Sequence, residues 1–551
     1  SLYKWNGNYS ESVKAAPVAT KTLQNVSRSN WATLTGDFPA GEYLFRIADI
    51  KGTVGVMQKD MSVSQGFCYE SGKESRADWW MTVTFTEKPD TPFREVSSMM
   101  DGIDGKHKAP AEWVPAEDHL LNTHKVMPDT WVFTDGLGRV SLTNAEVGDP
   151  KDKTVAMFYW TWHGGRGATP LNLTEFMEKY PEAKNDYNHS AWPSGVAYFW
   201  NEPLYGYYRT NDPWVLRRHA ELLANAGVDA VLTDNTNGTF AWQDGYHSVL
   251  NAWGDARLDG VDTPKLSFML PFAGGKDTAV QLRNIYQDIF RPGDYHDQWF
   301  YWDGKPLLLY NATPSVDANV GGGEKNLADY SDEVKQFFTL RNMWWGYYEW
   351  AGNRYVGTEG NWSFGLQLND KKVAAMKPEQ LAATWKGRYE QMSVTPAQHP
   401  ITNVGKSWSR NGGQPKLDIC DMPIKAKVPF MDNKECLDPV RYGIYFQERW
   451  DEALQVDPDF IYLNDWNEWT AGKYKSGLDP GGHAPGPDGF LERKNPFYFV
   501  DQYNAEYNRT IAPMKGGYTD NYYMQMVQNI RRYKGVRPIP ENKGLAQIGI
   551  D

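Results

Sequence analysis

The sequence predicts an α/β protein, a (β/α)8 TIM barrel that follows a small all-β sandwich domain. Beyond residue 113, eight apolar runs of strand length alternate with helical or long-loop segments, which is the count of a (β/α)8 barrel. The first hundred residues instead show short period-two runs broken by turns. At 551 residues the chain exceeds the usual size of one compact core. We therefore expect a β-sandwich accessory domain in residues 1–100, a linker in 101–112 and a barrel domain with long loops in 113–551.

The N-terminal prediction rests on alternating runs such as EYLFRIAD (42–49) and DWWMTVTF (78–85), with turn chemistry at DFPAG (37–41). Trp79 and Trp80 suggest a sugar platform. Successive strand residues point to opposite faces, however, so at most one of them could line a given surface. Structural packing is the favoured role for this pair.

The barrel prediction rests on eight strands and on one well-marked helix. Asp212 and Pro213 form a helix start, and Gly227 a helix stop, directly before the second strand. The fifth and sixth strands have the weakest patterns. Residues 344–350 (WWGYYEW) could replace one of these two strands or could form a lid. The predicted strands are 154–162, 228–238, 266–270, 306–310, 338–342, 361–366, 391–397 and 460–466.

Composition and motifs exclude several function classes. The net charge of -12 and the pI near 5.4 argue against nucleic-acid binding, which requires a basic face. No apolar run is long enough to predict a membrane span. The glycine runs at 321–323 and 481–482 lack a strand–turn–helix context, and no CxxC, HExxH, EF-hand or GxSxG spacing occurs. We therefore predict no cofactor and no metal.

Three cysteines are too few for a disulfide scaffold. Cys420 and Cys436 flank one loop. The sequence is equally compatible with a disulfide bridge between them and with two unbridged buried thiols. The start at Ser1 fits a trimmed signal peptide or the boundary of an expressed fragment, and unglycosylated sequons near strand ends fit a bacterial host. We expect a secreted, periplasmic or cell-surface bacterial protein that is a monomer.

The candidate site lies at the predicted strand ends, where barrel enzymes carry their chemistry. The last strand ends in FIYLNDWNEWTAGK (460–473), a crowd of carboxylates, amides and indoles. Glu468 is the first choice for one catalytic role, and Asp234 or Asp465 for the other. The predicted substrate-binding residues are Trp160, Trp162, His163, Asn235, Asn237, Arg341, Glu349, Gln398, His399, Asn467 and Trp469.

Paired carboxylates among indoles and amides suit the cleavage of a glycosidic bond, in which one acid protonates the leaving oxygen. A plainer interpretation makes the carboxylates caps of the next element. His163 is more often a satisfied hydrogen bonder than a metal ligand.

Two segments carry a family resemblance. NEPLYGYYRTNDPWVLRRHAELLANAGVDAVLTDNTNG (201–238) and DWNEWTAGK (465–473) occur in order with MPDTWVFTDGLGRV (127–140) and FVDQYNAEYNRTIAPMKGG (499–517). Together they resemble a bacterial branch of the glycoside hydrolase family 71/99-like superfamily, over roughly residues 113–530. The resemblance implies a (β/α)8 barrel that acts on α-linked glycans without a cofactor.

The resemblance is incomplete at one position. Family 99 enzymes have a second Glu three residues after the Glu that matches Glu468, but this chain has Ala471 there. Either another strand supplies the partner carboxylate, Asp234 being the natural candidate, or this branch has lost hydrolysis. The leading hypothesis is a glycoside hydrolase acting on a complex polysaccharide or oligosaccharide. A non-catalytic glycan-binding protein and a polysaccharide lyase are the alternatives.

Overall fold

The structure is a computed structural model in which two compact units are distinguished, Ser1–Val114 with Arg283–His296 and Pro115–Leu282 with Asp297–Asp551. The described residues are 1–7, 9–22, 38–48, 53–56, 67–70, 78–85, 127–163, 169–194, 196–271, 276–310, 336–346, 356–366, 371–396, 426–428, 434–436, 442–470, 473–475, 497–499, 510–516 and 519–538.

Ten strands of the described residues form the main sheet of the larger unit, and eight of them run parallel. The parallel strands are β1 Thr154–Tyr159, β2 Ala230–Asp234, β3 Lys265–Met269, β4 Lys305–Tyr310, β5 Thr339–Gly346, β6 Asn361–Leu366, β7 Arg388–Val394 and β8 Phe460–Leu463. Their order is β6-β5-β4-β3-β2-β1-β8-β7, with every neighbouring pair parallel. Ala383–Trp385 and Tyr301–Trp302 pair antiparallel at β7 and β4. The eight predicted strands, including the fifth and the sixth, are confirmed. Residues 344–346 are the end of β5, and the remainder of the segment 344–350 lies outside the described residues.

Side chains join the two ends of this strand order. The Gln391 side chain of β7 accepts from Ser363 N at 3.0 Å and donates to Ser363 O at 2.9 Å, as a peptide group of a neighbouring strand would. The hydroxyls of Ser363 and Ser393 lie 2.9 Å apart in the same seam. With the two ends in contact, the sheet nearly closes into a barrel of the TIM type.

Five longer helices accompany the strands: α1 Pro213–Ala226, α2 Gln243–Leu258, α3 Lys276–Ile285, α4 Ile444–Val456 and α5 Asn521–Lys534. The predicted signals for α1 are confirmed. The Asp212 carboxylate accepts from Trp214 N and Val215 N, which satisfies two otherwise unpaired donors of the first turn. Gly227 ends the helix in the left-handed region at φ 82°, where glycine has no Cβ penalty.

Shorter elements complete the described chain. The further helices are Tyr9–Ser12, Asn144–Val147, Leu173–Lys179 and Lys371–Ala375, with 3-10 turns at Pro128–Thr130, Pro181–Asn185, His296–Gln298 and Pro378–Gln380 and a π-helical turn at Tyr286–Phe290. The further strands outside the N-terminal region are Thr169–Pro170, Val196–Ala197, Tyr301–Trp302, Ala383–Trp385, Ala426–Val428, Lys434–Cys436, Lys473–Lys475 and Phe497–Phe499. In the described ranges, no helix combines the length and the apolar character needed to cross a membrane.

The strand alternation builds the core of the larger unit. Ala156, Phe158 and Trp160 belong to one cluster of buried side chains. The rest of this cluster comes mainly from every second residue of the other strands, since successive strand residues point to opposite faces. Tyr159 points the other way, against His219 of α1 and Trp253 of α2. Burying each large apolar side chain stabilises the fold by about 1.5–3 kcal/mol.

The N-terminal region forms antiparallel strands. Leu2–Lys4, Gly41–Ala48 and Asp78–Phe85 make one three-stranded sheet, and Thr53–Val56 pairs with Phe67–Glu70. The sandwich architecture and the predicted domain boundaries stay predictions. Cys420 lies outside the described residues, so the predicted bridge to Cys436 also stays a prediction.

Candidate functional site

The loop that follows β8, residues 464–470 (the β8 loop), is held on both sides by backbone hydrogen bonds. Asn464 N donates to Val394 O of β7 at 3.1 Å, and Trp466 N donates to Phe158 O of β1 at 2.9 Å. Ile511 N and Ala512 N donate to Asp465 O and Trp466 O of the same loop, each at 2.9 Å. The peptide bond between Asn464 and Asp465 is cis. The loop is therefore fixed between its two neighbouring strands, which is what a preorganised site requires.

Asn467 closes the gap between the β8 loop and β1. Its Oδ1 accepts from Trp160 N at 2.8 Å, and its Nδ2 donates to Trp160 O at 3.1 Å. The Asn467 amide thereby makes the same two hydrogen bonds to β1 that the backbone of a neighbouring strand would make, at a point beyond the end of the β8–β1 pairing. Asn467 was predicted to bind sugar, but its amide is occupied by the backbone of β1.

His163 holds the same loop from the other side. Its Nε2 lies 2.7 Å from Asn467 O, which can only accept, so this nitrogen carries the proton. Nδ1 then accepts from the Thr210 hydroxyl at 3.2 Å, while that oxygen accepts from His163 N at 2.8 Å. Burial lowers the pKa of His163 to about 3, so the ring is neutral at pH 7. With both nitrogens occupied, His163 supports the loop.

Two of the predicted catalytic carboxylates lie in the β8 loop. Glu468 is 2 % exposed and Asp465 is fully buried. Oδ1 of Asp465 accepts from Glu468 N at 3.2 Å, a bond that fixes the turn between them. Asp465 therefore shapes the turn that presents Glu468.

Asp234, the third predicted catalytic residue, is the last residue of β2 and is 1 % exposed. Its Oδ2 accepts from the Trp162 indole at 2.8 Å. Its Oδ1 accepts from Thr236 N at 3.1 Å and from the Thr236 hydroxyl at 2.7 Å. Both oxygens of this buried carboxylate therefore accept hydrogen bonds, which fixes its orientation.

Four aromatic rings, here called the aromatic stack, connect these groups: Trp160, Trp162, Trp242 and Phe240. The centroids of Trp160 and Trp162 are 3.7 Å apart, and those of Trp162 and Trp242 are 4.9 Å apart with planes at 4°. Phe240 continues the series 5.6 Å from Trp242. Trp242 and Phe240 were not predicted as site residues. The only sequence signal for them is an aromatic pair shortly after the second strand.

Asp234 and Glu468 lie on either side of β1, because β2 and β8 are its two neighbours in the sheet. Neighbouring strands are about 4.8 Å apart, so the two backbones are separated by roughly 10 Å. Two carboxylates that extend from such positions at the carboxyl ends of strands can face one group held between them. This arrangement is suited to acid–base cleavage of a bond.

Three other predicted residues lie near these groups in supporting positions. Asn235 donates to Ala241 O at 2.7 Å and stays within its own loop. Asn237 is exposed and donates to Thr236 Oγ1. Trp469 is fully buried and stacks on Trp200 with centroids 5.1 Å apart. The tryptophan that makes this packing, Trp200, was not predicted.

Arg341 lies away from these residues, and its predicted position at a strand end is wrong. It is the third residue of β5, which continues to Gly346 rather than ending near residue 342. Its Nε and Nη2 donate to the two oxygens of Glu390 at 2.8 and 2.6 Å, and Nη2 also donates to Asp303 at 2.8 Å. Asp303 precedes β4 and Glu390 is near the start of β7, so this cluster is at the opposite end of the barrel from Asp234. A buried guanidinium needs a carboxylate partner, and Glu390 supplies it.

Glu390 is enclosed by further donors at that end. The indoles of Trp302 and Trp362 donate to it at 2.9 and 2.7 Å, and the Arg341 guanidinium lies 3.9 Å from the Trp385 ring centroid. Glu390 was not predicted, because its partners are distant in sequence. The predicted residues Glu349, Gln398 and His399 lie outside the described residues.

Across the described ranges, no group of three or more His, Cys, Asp or Glu side chains could hold a metal ion.

No family model matches the chain, and no curated protein matches it. Among solved structures, the GH99 endo-alpha-mannosidase from Bacteroides thetaiotaomicron in complex with BIS-TRIS-propane is similar at 14 % identity and a TM-score of 0.37, covering 70 % of this chain and 98 % of that one. A second structure of the GH99 endo-alpha-mannosidase from this organism is similar at 14 % identity and a TM-score of 0.35, covering 71 % of this chain and 100 % of that one. A glycoside hydrolase-like protein is similar at 12 % identity and a TM-score of 0.31, covering 67 % of this chain and 98 % of that one. At these identities and TM-scores, the similarity supports no conclusion about the activity of this protein.

Proposed function

We propose that this protein is a glycoside hydrolase that cleaves a glycosidic bond in a complex polysaccharide or oligosaccharide. The observation that carries the proposal is the pair of buried carboxylates on either side of β1, Asp234 after β2 and Glu468 in the β8 loop. The Asp234 carboxylate is held by hydrogen bonds beside an aromatic stack that suits the C–H faces of sugars, and the turn that carries Glu468 is held by its backbone bond to Asp465. An α-linked substrate is a finer proposal that rests on the sequence resemblance.

The two carboxylates are assigned different roles. Asp234 acts as the base or the nucleophile, because three hydrogen bonds to its two oxygens hold the carboxylate in place at the end of β2. Glu468 protonates the leaving oxygen. Asp465 holds the turn that presents Glu468. Because Asp234 belongs to another strand, this assignment supplies a partner carboxylate despite Ala471.

The remaining predicted residues are divided by their contacts. Trp160 and Trp162 belong to the aromatic stack, and direct sugar contact by either ring stays a prediction. His163, Asn467 and Trp469 position the β8 loop. Sugar binding by Glu349, Gln398 and His399 stays a prediction, as do a monomeric state and a secreted, periplasmic or cell-surface location.

The test is hydrolysis by Glu468→Gln and Asp234→Asn on a panel of α- and β-linked oligosaccharides and polysaccharides, with reducing-sugar detection. Each variant should lose about 10²–10⁴-fold in kcat with an unchanged circular dichroism spectrum. Glu221→Gln, a carboxylate on α1 that pairs with Arg217, is the matched control and should keep full activity.

Three outcomes contradict the proposal. Wild-type activity in Glu468→Gln removes the assigned acid. Glycan binding without turnover by the wild-type protein indicates a binding protein on a barrel scaffold. Products that absorb in the ultraviolet indicate a lyase.

A further inference from the structure

Trp242 occupies a backbone conformation that large residues rarely adopt. It is the N-cap of α2 with φ 53° and ψ 47°, in the left-handed region. Its side chain makes no capping hydrogen bond there. The Trp242 carbonyl accepts from Gly245 N and Tyr246 N at the helix start, and the same backbone conformation places the indole parallel to Trp162 at 4.9 Å. Strained positions of this kind occur preferentially at functional sites.

The indole N–H of Trp242 is shielded from solvent and has no acceptor among the residues that the structure describes. A buried donor without an acceptor is costly, so such a group indicates a missing partner. A ligand hydroxyl beside the aromatic stack would satisfy it. The neighbouring Trp162 indole already donates to Asp234, so such a ligand would lie next to the proposed catalytic carboxylate.

The aromatic stack becomes progressively more accessible away from the core. Trp160 is 4 % exposed, Trp162 and Trp242 are partly buried, and Phe240 is 48 % exposed. An exposed phenyl ring at the outer end of a stack that begins inside the barrel offers an apolar surface at the mouth of the site. The C–H face of a pyranose ring packs well on such a surface.

We propose that Trp242 and Phe240 form a sugar-binding subsite beside Asp234, which takes a pyranose unit outside the bond being cleaved. The Trp242 indole donates to a hydroxyl of that unit, and Phe240 packs against its C–H face. The inference rests on the proposed function, because it assumes a glycan at the carboxylate pair. It predicts a preference for chains longer than a disaccharide.

The test measures binding rather than turnover. Manno- and malto-oligosaccharides of two to six units are titrated by calorimetry into Glu468→Gln and into the same protein with Phe240→Ala or Trp242→Phe added. The second change keeps an aromatic ring but removes the N–H. For the longer oligosaccharides we expect each addition to weaken affinity about tenfold, and for the disaccharides less than about twofold.

Trp214→Ala provides the matched control, because Trp214 is an exposed aromatic residue on α1 with 56 % exposure. It should leave affinity unchanged at every length. Binding that is equally strong with and without Phe240 and Trp242 overturns the subsite but leaves the proposed function intact. Failure of Glu468→Gln and of the wild-type protein to bind any of these oligosaccharides overturns both.

Discussion

The indole N–H of Trp162 donates a 2.8 Å hydrogen bond to Oδ2 of Asp234, which ties the aromatic end of the first strand to the carboxylate of the second. The Trp162 ring is itself packed between Trp160 and Trp242. The orientation of the carboxylate therefore depends on the stack, and a change in the stack should appear in the chemistry.

Trp162→Phe should lower kcat about 10–100-fold, because a hydrogen bond to a charged group is worth about 1.5–3 kcal/mol. The change removes the bond that holds Oδ2 of Asp234 in place. The measurement is kcat at saturating substrate. Trp253→Phe removes another buried indole donor, the one bonded to Leu216 O, and should leave kcat unchanged. An unchanged kcat in Trp162→Phe would show that the bond does not position the carboxylate.

Asn467→Ala should destabilise the protein by about 1–3 kcal/mol, because it leaves the N–H and C=O of Trp160 buried without their partners. Urea unfolding measures the change. Activity should fall as well, since the β8 loop loses its connection to β1. The control is Asn237→Ala, an exposed amide whose removal should change stability by less than about 0.5 kcal/mol. Equal stability of the two variants would contradict the supporting role of Asn467.

Stability should decrease in weak acid because of two buried histidines. Burial lowers the pKa of His163 and of His219 to about 3, against 6.5 in the unfolded chain. The folded state then binds fewer protons, so its advantage is complete above pH 6.5 and is lost as pH falls toward 3. Each histidine should cost about 1.4 kcal/mol per pH unit in that window, or about 2 kcal/mol at pH 5.

The free energy of unfolding of His219→Gln, measured in urea between pH 7 and 5, should fall less steeply than that of the wild-type protein. Between pH 7 and 8 the two slopes should agree, which serves as the internal control. Identical slopes below pH 6.5 would mean that His219 is not titrating as described.

Arg341→Met should destabilise the fold by about 3–5 kcal/mol, because it leaves the fully buried Glu390 without its cation. The double change Arg341→Met with Glu390→Met should recover most of that loss, since a buried ion pair contributes little net stability. Thermal and urea unfolding of the four proteins complete a double-mutant cycle. The KM of the folded fraction should be unchanged in both variants; a large rise in KM would restore Arg341 as a substrate contact.

The strands could be predicted from the sequence because each combines an apolar run with the right length, and the parallel order follows from their alternation with helices. Arg341 could not be placed, because β5 continues through aromatic residues that do not mark its end. Its partner Glu390 is 49 residues away, a separation that no local pattern spans.

The candidate site, too, could be predicted from the sequence only in part. The burial of Asp234, Asp465 and Glu468 at or just after strand ends agrees with their predicted positions, because strand ends of a barrel converge, and their catalytic roles stay a proposal. The supporting roles of His163 and Asn467 could not, because their contact joins residues 304 positions apart. Amide and imidazole groups that bind a backbone cannot be told from ones that bind a ligand by residue type alone.

The closure beside Gln391 has a consequence for the carboxylate pair. Backbone pairing joins the strands from β6 through β2, β1 and β8 to β7, so Asp234 and Glu468 follow strands in the interior of this order, and Ser363 and Gln391 join its two ends. The short strand Ala383–Trp385 adds a backbone bond at the same closure, where Gly360 N donates to Thr384 O at 2.8 Å. The strands that carry the two carboxylates are therefore paired with β1 without any contribution from the side-chain closure.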